Sequence, residues 1–222
     1  MIRRILRHFR KPTLDDYRRQ VKNWLMPLLP ADPVIVEAGS HFGEDTVWLG
    51  RYWPRGQVHA FEPSPDLFAL TTRHTRWIPN VHRYPFALSD RLEAVELHVS
   101  SGASTASSSI FAPKEHLVEH PSVRFDARIS VPAITLALWA QQYQIPRVDF
   151  LWLDMQGAEL RALQGMGQLL DTATALHLEV STRESYAGAP LYPELAAWMR
   201  ARGFIAKHER FEGSQGDIFF AR

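Results

Sequence analysis

Three groups of residues have the types and spacing for chemistry. The first is Asp154, which directly follows the short apolar run Val148-Asp-Phe-Leu-Trp-Leu153. A carboxylate at the end of a buried strand is placed to take a proton from a hydroxyl as a new bond forms. It is equally placed to bind a ligand amine or to cap the next helix. The second is the pair His177 and Glu179, two residues apart in Ala173–Val180. On a strand, that spacing projects both to one face, although His177 also suits a paired core histidine. The third is Glu37-Ala-Gly39-Ser-His-Phe-Gly43, followed close to twenty residues later by Glu62. Glycines at 39 and 43 let the backbone turn sharply and approach a ligand. His41 in that turn is a further candidate base, though shaping the loop is the simpler role for it. No cysteine is present, which excludes thiolate nucleophiles, disulfides and Cys-based zinc sites.

The elements that must position these groups follow from apolar runs and their punctuation. Val34–Val36, Gln57–Phe61, Val148–Leu153 and Ala173–Val180 read as strands, the first and third almost continuously apolar, as strands buried on both faces are. Val81–Leu88 reads as a third strand, Ala94–Val99 as a half-exposed fourth and Arg128–Ile134 as an edge strand. Helices are expected over much of 1–30, then over Glu44–Tyr52, Asp66–His74 with Ser64 as cap, Leu136–Gln142, Ala158–Leu170 and Glu194–Arg202. Phe204–Glu209 and Asp217–Ala221 close the chain as a hairpin. Alternating strands and helices predict a mainly parallel sheet covered on both faces, whose ligand edge lies beyond the carboxyl ends of the strands. Gly39, Glu62 and Asp154 all fall at that edge.

The glycine turn narrows the ligand. A dinucleotide fold would use the same acidic residue at Glu62, but the fingerprint G-x-G-x-x-G that brings a pyrophosphate onto a helix is absent. Glu44 and Asp45 open the following helix instead. Acids are favoured at any helix start, yet here they would repel a pyrophosphate and suit a cation. S-adenosylmethionine, with a sulfonium, an amine and no phosphate, meets that requirement.

Three segments together resemble the FkbM family of methyltransferases: Val34-Ile-Val-Glu-Ala-Gly-Ser-His-Phe-Gly43, His59-Ala-Phe-Glu-Pro63 and Phe150-Leu-Trp-Leu-Asp-Met-Gln-Gly-Ala-Glu-Leu160. The similarity extends through Ala87–Asp90, Val131–Leu136 and Leu178–Val180. The resemblance implies a Rossmann-like α/β class I methyltransferase fold, with a mainly parallel seven-stranded sheet and a C-terminal antiparallel hairpin. It implies O-methylation of a sugar, glycan or secondary-metabolite hydroxyl, with S-adenosylmethionine as methyl donor. Glu37, Gly39, Ser40 and Gly43 would line the methionine part of the cofactor, flanked by His41, Asp45 and Thr46. Glu62, followed by Pro63, would hold the ribose, Ser89 and Asp90 would sit beside the adenine, and Asp154 would stand at the methyl-transfer edge. The family usually reads Asp-x-Glu-Gly where this chain has Asp154-Met-Gln156-Gly157. Gln156 keeps the shape and loses the charge, so a base or metal-ligand role there is in doubt, and no metal site is expected. Gln156, Ser104 in the small-residue stretch Ser100–Ser109, and Tyr186 are the candidate acceptor contacts. Ser104 and Tyr186 lie in stretches that read equally well as surface connections.

The whole chain fits this scale. Its 222 residues, 45% apolar with a net charge of +1, suit one α/β domain over 31–222 preceded by a basic helical segment over 1–30. The near-neutral balance favours no nucleic-acid partner. Ile2, Ile5, Leu6 and Phe9 alternate at helical spacing with Arg3, Arg4, Arg7, Arg10 and Lys11, a pattern that fits either a helix on the domain edge or peripheral contact of residues 1–12 with an anionic membrane. A cytoplasmic location, at the inner membrane surface if that contact is made, is the expectation. The competing readings are a nicotinamide-dependent oxidoreductase, a non-catalytic binding module and a nucleic-acid methyltransferase.

Overall fold

A computed structural model describes residues 13–222; the basic segment 1–12 lies outside the described residues. In chain order the elements are α1 (Leu14–Leu25), β1 (Val34–Ala38), α2 (Glu44–Tyr52), β2 (Gln57–Phe61), α3 (Pro65–Thr75), β3 (Val81–Tyr84), β4 (Ala87–Leu88) and β5 (Glu93–Gly102). They continue with α4 (His116–Glu119), β6 (Val123–Ile134), α5 (Leu136–Tyr143), β7 (Phe150–Leu153), α6 (Glu159–Gln164), a 3-10 turn (Gly167–Thr172), β8 (Ala175–Ser181), α7 (Tyr192–Arg200), β9 (Ile205–Glu212) and β10 (Gln215–Ala221).

Seven strands form one sheet in the order β3-β2-β1-β7-β8-β10-β9. The pairs among β3, β2, β1, β7 and β8 are parallel, and β10 runs antiparallel to both β8 and β9. The order reverses between β1 and β7, so a crevice opens at their carboxyl ends. One face of the sheet buries Leu151, Leu153, Leu176 and Leu178 against Trp139, Leu160, Leu195 and Met199. The other buries Ile35, Phe150, Trp152 and Phe219 against Tyr17, Val21 and Leu25 of α1 and Leu49 of α2.

Helix α1 is therefore part of the core. Thr13 caps it in a reciprocal box with Asp16, and its apolar residues recur every fourth position. Full burial of such side chains stabilises by about 1.5–3 kcal/mol each, ample to fix the helix across β1, β7 and β10. Helicity ends at Leu25, and 26–30 is turn, short of the extent expected from the apolar residues around it.

Several sequence expectations are corrected. Val81–Leu88 is two strands: Pro85 lacks the amide proton to continue a ladder, and after it β4 leaves for a second sheet of order β4-β6-β5. Arg128–Ile134 belongs to β6, the central strand of that small sheet rather than an edge, with β5 antiparallel on one side and β4 parallel on the other. The helix expected over Ala158–Leu170 stops at Gln164: Gly165 is its C-cap, where only glycine leaves room for the Ser89 carbonyl, and Gly167 turns left-handed at φ +54° into the 3-10 turn. Ser64 stands at the start of α3 without a side-chain cap; its backbone amide instead donates to Glu62 Oε1 at 2.9 Å.

Candidate active site

The glycine turn after β1 is held over the end of β2. Gly39 and Ser40 amides both donate to the Phe61 carbonyl, at 3.1 and 3.2 Å. Gly39 has φ +81°, and a Cβ there would lie 1.8 Å from the Asp154 carbonyl oxygen. Only glycine lets the β1 and β7 exits come this close. Gly43, also left-handed, faces the Thr71 and Thr75 methyls of α3, so it seats the helix rather than lining the cleft. The Thr46 hydroxyl, buried on α2, donates to Glu37 Oε2. Glu62 accepts from the His41 amide at 2.9 Å as well as from Ser64. Burial drives both carboxyls upward, Glu37 to about 8 and Glu62 to about 7.

Two connected hollows share this wall. A cleft is bounded by Gly39, His41, Glu62, Pro63, Leu88 and Asp154, with Thr105, Ala106 and Ser108–Ile110 on its far side. A more polar hollow is bounded by Gly39, Ser40, His41, Asp45, Ala106 and Asp154. The segment Ala103–Ile110 returns along β5, Ser109 and His98 exchanging both backbone hydrogen bonds, and thereby covers the cleft. Ser104 belongs to this cover but does not border the cleft; its hydroxyl braces the Ala106 amide at 3.1 Å. Ser89 is buried beyond Leu88 and bonds Asp90 and Glu93 at 3.1 and 3.0 Å; neither Ser89 nor Asp90 borders the cleft. Asp45 is half-buried, 2.6 Å from Arg18 Nε of α1; burial raises its carboxyl, with Arg18 opposing.

Asp154 is exposed and borders both hollows. The structure brings Glu179 and Gln156 to it: Gln156 Nε2 donates to Asp154 Oδ1 at 2.8 Å and to Glu179 Oε2 at 2.6 Å. Tyr186 is buried, its hydroxyl 2.8 Å from both Gln156 Oε1 and the Ser107 carbonyl, so it ties elements together beneath the surface. His177 is placed elsewhere. It lies beside Trp152 in register, stacks on that ring at 4.1 Å and bonds the Tyr17 hydroxyl at 2.7 Å. Burial lowers its pKa to about 3, and the His177 ring sits in the α1 core, outside both hollows.

Sequence reasoning missed two acids here. Asp217 on β10 pairs with Glu179 across the strands, and buried Glu159 accepts from the Met155 amide at 2.7 Å. Burial foremost, then the surrounding charge, raises Asp217 to about 7 and Glu159 to about 8. A lone polar residue ending a strand otherwise apolar, as in Asp217-Ile-Phe-Phe, was the available signal for the first. Among the described residues no group of three or more His, Asp or Glu side chains is arranged to hold a metal ion.

This cleft, at the switch point of a sheet ordered 3-2-1 on one side and closed by an antiparallel hairpin on the other, defines a Rossmann-like methyltransferase. Residues 37–206 match the family model described as the methyltransferase FkbM domain, and the chain belongs to that family. It is 30% identical over 98% of its length, and 90% of the relative's, to 2-O-methyltransferase NoeI of Sinorhizobium fredii (strain NBRC 101917 / NGR234). It is 24% identical to methyltransferase sdnD of Sordaria araneosa, covering 83% of this chain and 78% of that one. Among solved structures, precorrin-6y C5,15-methyltransferase of Geobacter metallireducens GS-15 superposes with TM-score 0.52 at 11% identity, covering 96% and 92% of the two chains. The N-terminal domain of EvdMO1, solved with SAH and D-fucose, gives TM-score 0.51 at 11% identity over 92% and 82%. These two likenesses are of fold.

The chain is an S-adenosylmethionine-dependent methyltransferase, and its residues fit that cofactor. Ser40 Oγ is buried without a hydrogen-bond partner at the glycine turn, a group for a polar ligand to satisfy. The close Gly39–Asp154 approach provides a backbone cradle. The cleft is mostly apolar, with Glu62 at one end, as small-molecule sites with a few placed polar groups are.

Proposed function

We propose that this enzyme transfers the methyl group to a hydroxyl oxygen of a sugar, glycan or other polyhydroxylated metabolite. The observation that carries this reading is the position of Asp154: an exposed carboxylate on the wall of both cofactor hollows. Bound S-adenosylmethionine supplies an electrophilic methyl on sulfur. Ser40, Glu37 and the Gly39 backbone would hold its methionine end, and Glu62 its ribose. Asp154 removes the proton from the acceptor hydroxyl as the new oxygen–carbon bond forms and the carbon–sulfur bond breaks. The products are a methyl ether, S-adenosylhomocysteine and a proton on Asp154. Such positioned bases contribute typically about 10²–10⁴-fold, and alignment of oxygen, carbon and sulfur contributes further.

The acceptor approaches from the open side, where a groove is bounded by Glu179, Asp217, Arg210, Gln215, Ser214 and Glu119. Carboxylates and hydroxyls facing one groove accept from and donate to the several hydroxyls of a polyol. The relative named as a 2-O-methyltransferase supports oxygen as the acceptor atom.

The test is transfer of a labelled methyl group from S-adenosylmethionine to a panel of oligosaccharides, free sugars, polyketide alcohols and amines. Methyl ethers formed on a hydroxyl acceptor are expected. Transfer confined to amines, by an enzyme that still binds S-adenosylhomocysteine, would overturn the reading.

A further inference from the structure

We propose that Gln156 is a positioning residue: its amide binds Asp154 and Glu179 into a pair in which Glu179 keeps a proton, and so fixes the Asp154 carboxyl for its role as base. The inference rests on the function proposed above and goes beyond it by saying how the base is prepared and what it is coupled to.

The sheet register creates the problem that Gln156 solves. Leu153 pairs with Leu178, so one step further Asp154 and Glu179 emerge side by side. Asp217 pairs with Glu179 from the other flank, and Glu159 lies behind on α6. These four carboxyls come from the β7 exit, β8, β10 and α6. Two guanidiniums flank them among the described residues: Arg210, beside Asp217 in register, donates to Glu212 at 2.8 Å, and Arg183 borders a hollow with Gln156, Glu159 and Glu179. Two like charges about 4 Å apart repel by about 4 kcal/mol at the effective dielectric of a protein surface. Such a pair keeps a proton.

Gln156 shows where that proton goes. Both hydrogens of its Nε2 are used, one on Asp154 Oδ1 and one on Glu179 Oε2. Oε1 faces the Tyr186 hydroxyl. The opposite amide orientation would aim an oxygen at two carboxylates, so the chemistry fixes the assignment. Glu179 is half-buried and Asp154 exposed, and burial favours the neutral form of Glu179. Burial, then Asp154 and Glu159, push Glu179 well above the ordinary carboxyl range. With Oδ1 held by the amide, Oδ2 of Asp154 is left to face the acceptor.

The backbone supports the same role. Gln156 has φ +56°, a left-handed conformation that costs a non-glycine residue about 1–3 kcal/mol. Glycine would adopt it freely, so it is the side chain that the position requires. The Gln156 carbonyl accepts from the Ser109 hydroxyl at 2.8 Å, and Tyr186 links Gln156 Oε1 to the Ser107 carbonyl. Ser107 and Ser109 belong to the segment covering the cofactor cleft. The cover and the base are thus joined through one side chain.

The test compares wild type with Gln156→Glu, of equal size, and Gln156→Gly, which relieves the backbone. Carbon-13 carboxyl NMR titration of Glu179 comes first. The wild-type carboxyl should titrate well above the ordinary range, and Gln156→Glu, which adds a third acceptor and no donor, should move it further up. Wild-type Glu179 titrating at an ordinary value, or unmoved in Gln156→Glu, would overturn the pairing. Gln156→Gly should lose about 100-fold in kcat, the scale of a misplaced catalytic group, with KM for S-adenosylmethionine within about twofold, while Gln156→Glu, the residue usual in the family, should displace the acid limb of its kcat profile. Wild-type kcat and pH profile in both variants would also overturn it. The NMR arm needs no turnover, so an enzyme inactive on every hydroxyl would sink the proposed function while the pairing was still decided.

Discussion

At the scale of single residues, two of the candidate bases, Asp154 and His177, separate by where each side chain ends. Asp154→Asn keeps the shape and the bond from Gln156 but cannot take a proton. Turnover should fall about 10²–10⁴-fold while calorimetric affinity for S-adenosylhomocysteine stays within twofold; near-normal turnover would remove Asp154 from the chemistry. His177→Phe should do the reverse. It leaves the buried Tyr17 hydroxyl without its partner, at a cost of about 1–3 kcal/mol, visible as a lower melting temperature with kcat near wild type. Loss of turnover in a folded His177→Phe protein would return that residue to the site. The sequence made this distinction only halfway. The i, i+2 spacing correctly placed His177 and Glu179 on one face of β8. What it could not show is how far along the strand that face stays covered: His177 lies level with Trp152, under α1, and Glu179 lies one step beyond Leu178, at the open edge.

At the scale of elements, the strands carrying the site were legible because they are apolar on both faces and bounded by glycine or proline. The glycine turn, Glu62 and Asp154 were placed at the sheet edge by that pattern alone. The small sheet was not legible, since alternation along β5 and β6 says that one face is exposed and says nothing about which strand lies beside it. Nor could the cover be read, because it depends on the Ser109–His98 bridge and on Tyr186 reaching Ser107 across 79 positions of sequence. Gly39 joins two of the legible elements, and substituting it tests the joint. In Gly39→Ala the new methyl would collide with the Asp154 carbonyl oxygen, backbone against backbone, in a conformation unfavourable to alanine. The β1 and β7 exits must separate, so binding of S-adenosylhomocysteine should fall at least about tenfold and the melting temperature should drop. Unchanged affinity in calorimetry would show that the close approach does not shape the cofactor site.

At the scale of the molecule, the net charge of +1 conceals an acidic interior edge, and this sets how stability varies with pH. Burial raises Glu37 and Glu159 to about 8 and Glu62 and Asp217 to about 7, from ordinary values of 4.5 for Glu and 3.8 for Asp. In the window between those values the folded state binds more protons than the unfolded chain, so stability falls as pH rises. Their contribution is complete below the unfolded values and is lost as pH climbs through 7 to 8. Buried histidines act from the other side. His59 and His177, lowered from 6.5 to about 3 by burial, stay neutral when folded but gain protons when unfolded. Their contribution is therefore present above 6.5 and lost as pH falls toward 3. Four raised carboxyls outweigh two lowered histidines above about pH 4.5, so by this linkage the ligand-free protein loses stability from there up to about pH 8. Scanning fluorimetry from pH 4 to 9 should trace that decline. Glu37→Gln, neutral and of equal size, should flatten the alkaline side and melt above wild type at pH 8.5. S-adenosylhomocysteine should oppose the alkaline loss, because its amine and ribose favour the ionised forms of Glu37 and Glu62. A melting temperature that stays level from pH 5 to 8.5 would mean that these carboxyls are ionised in the folded protein, and the burial argument for the site would fail with it.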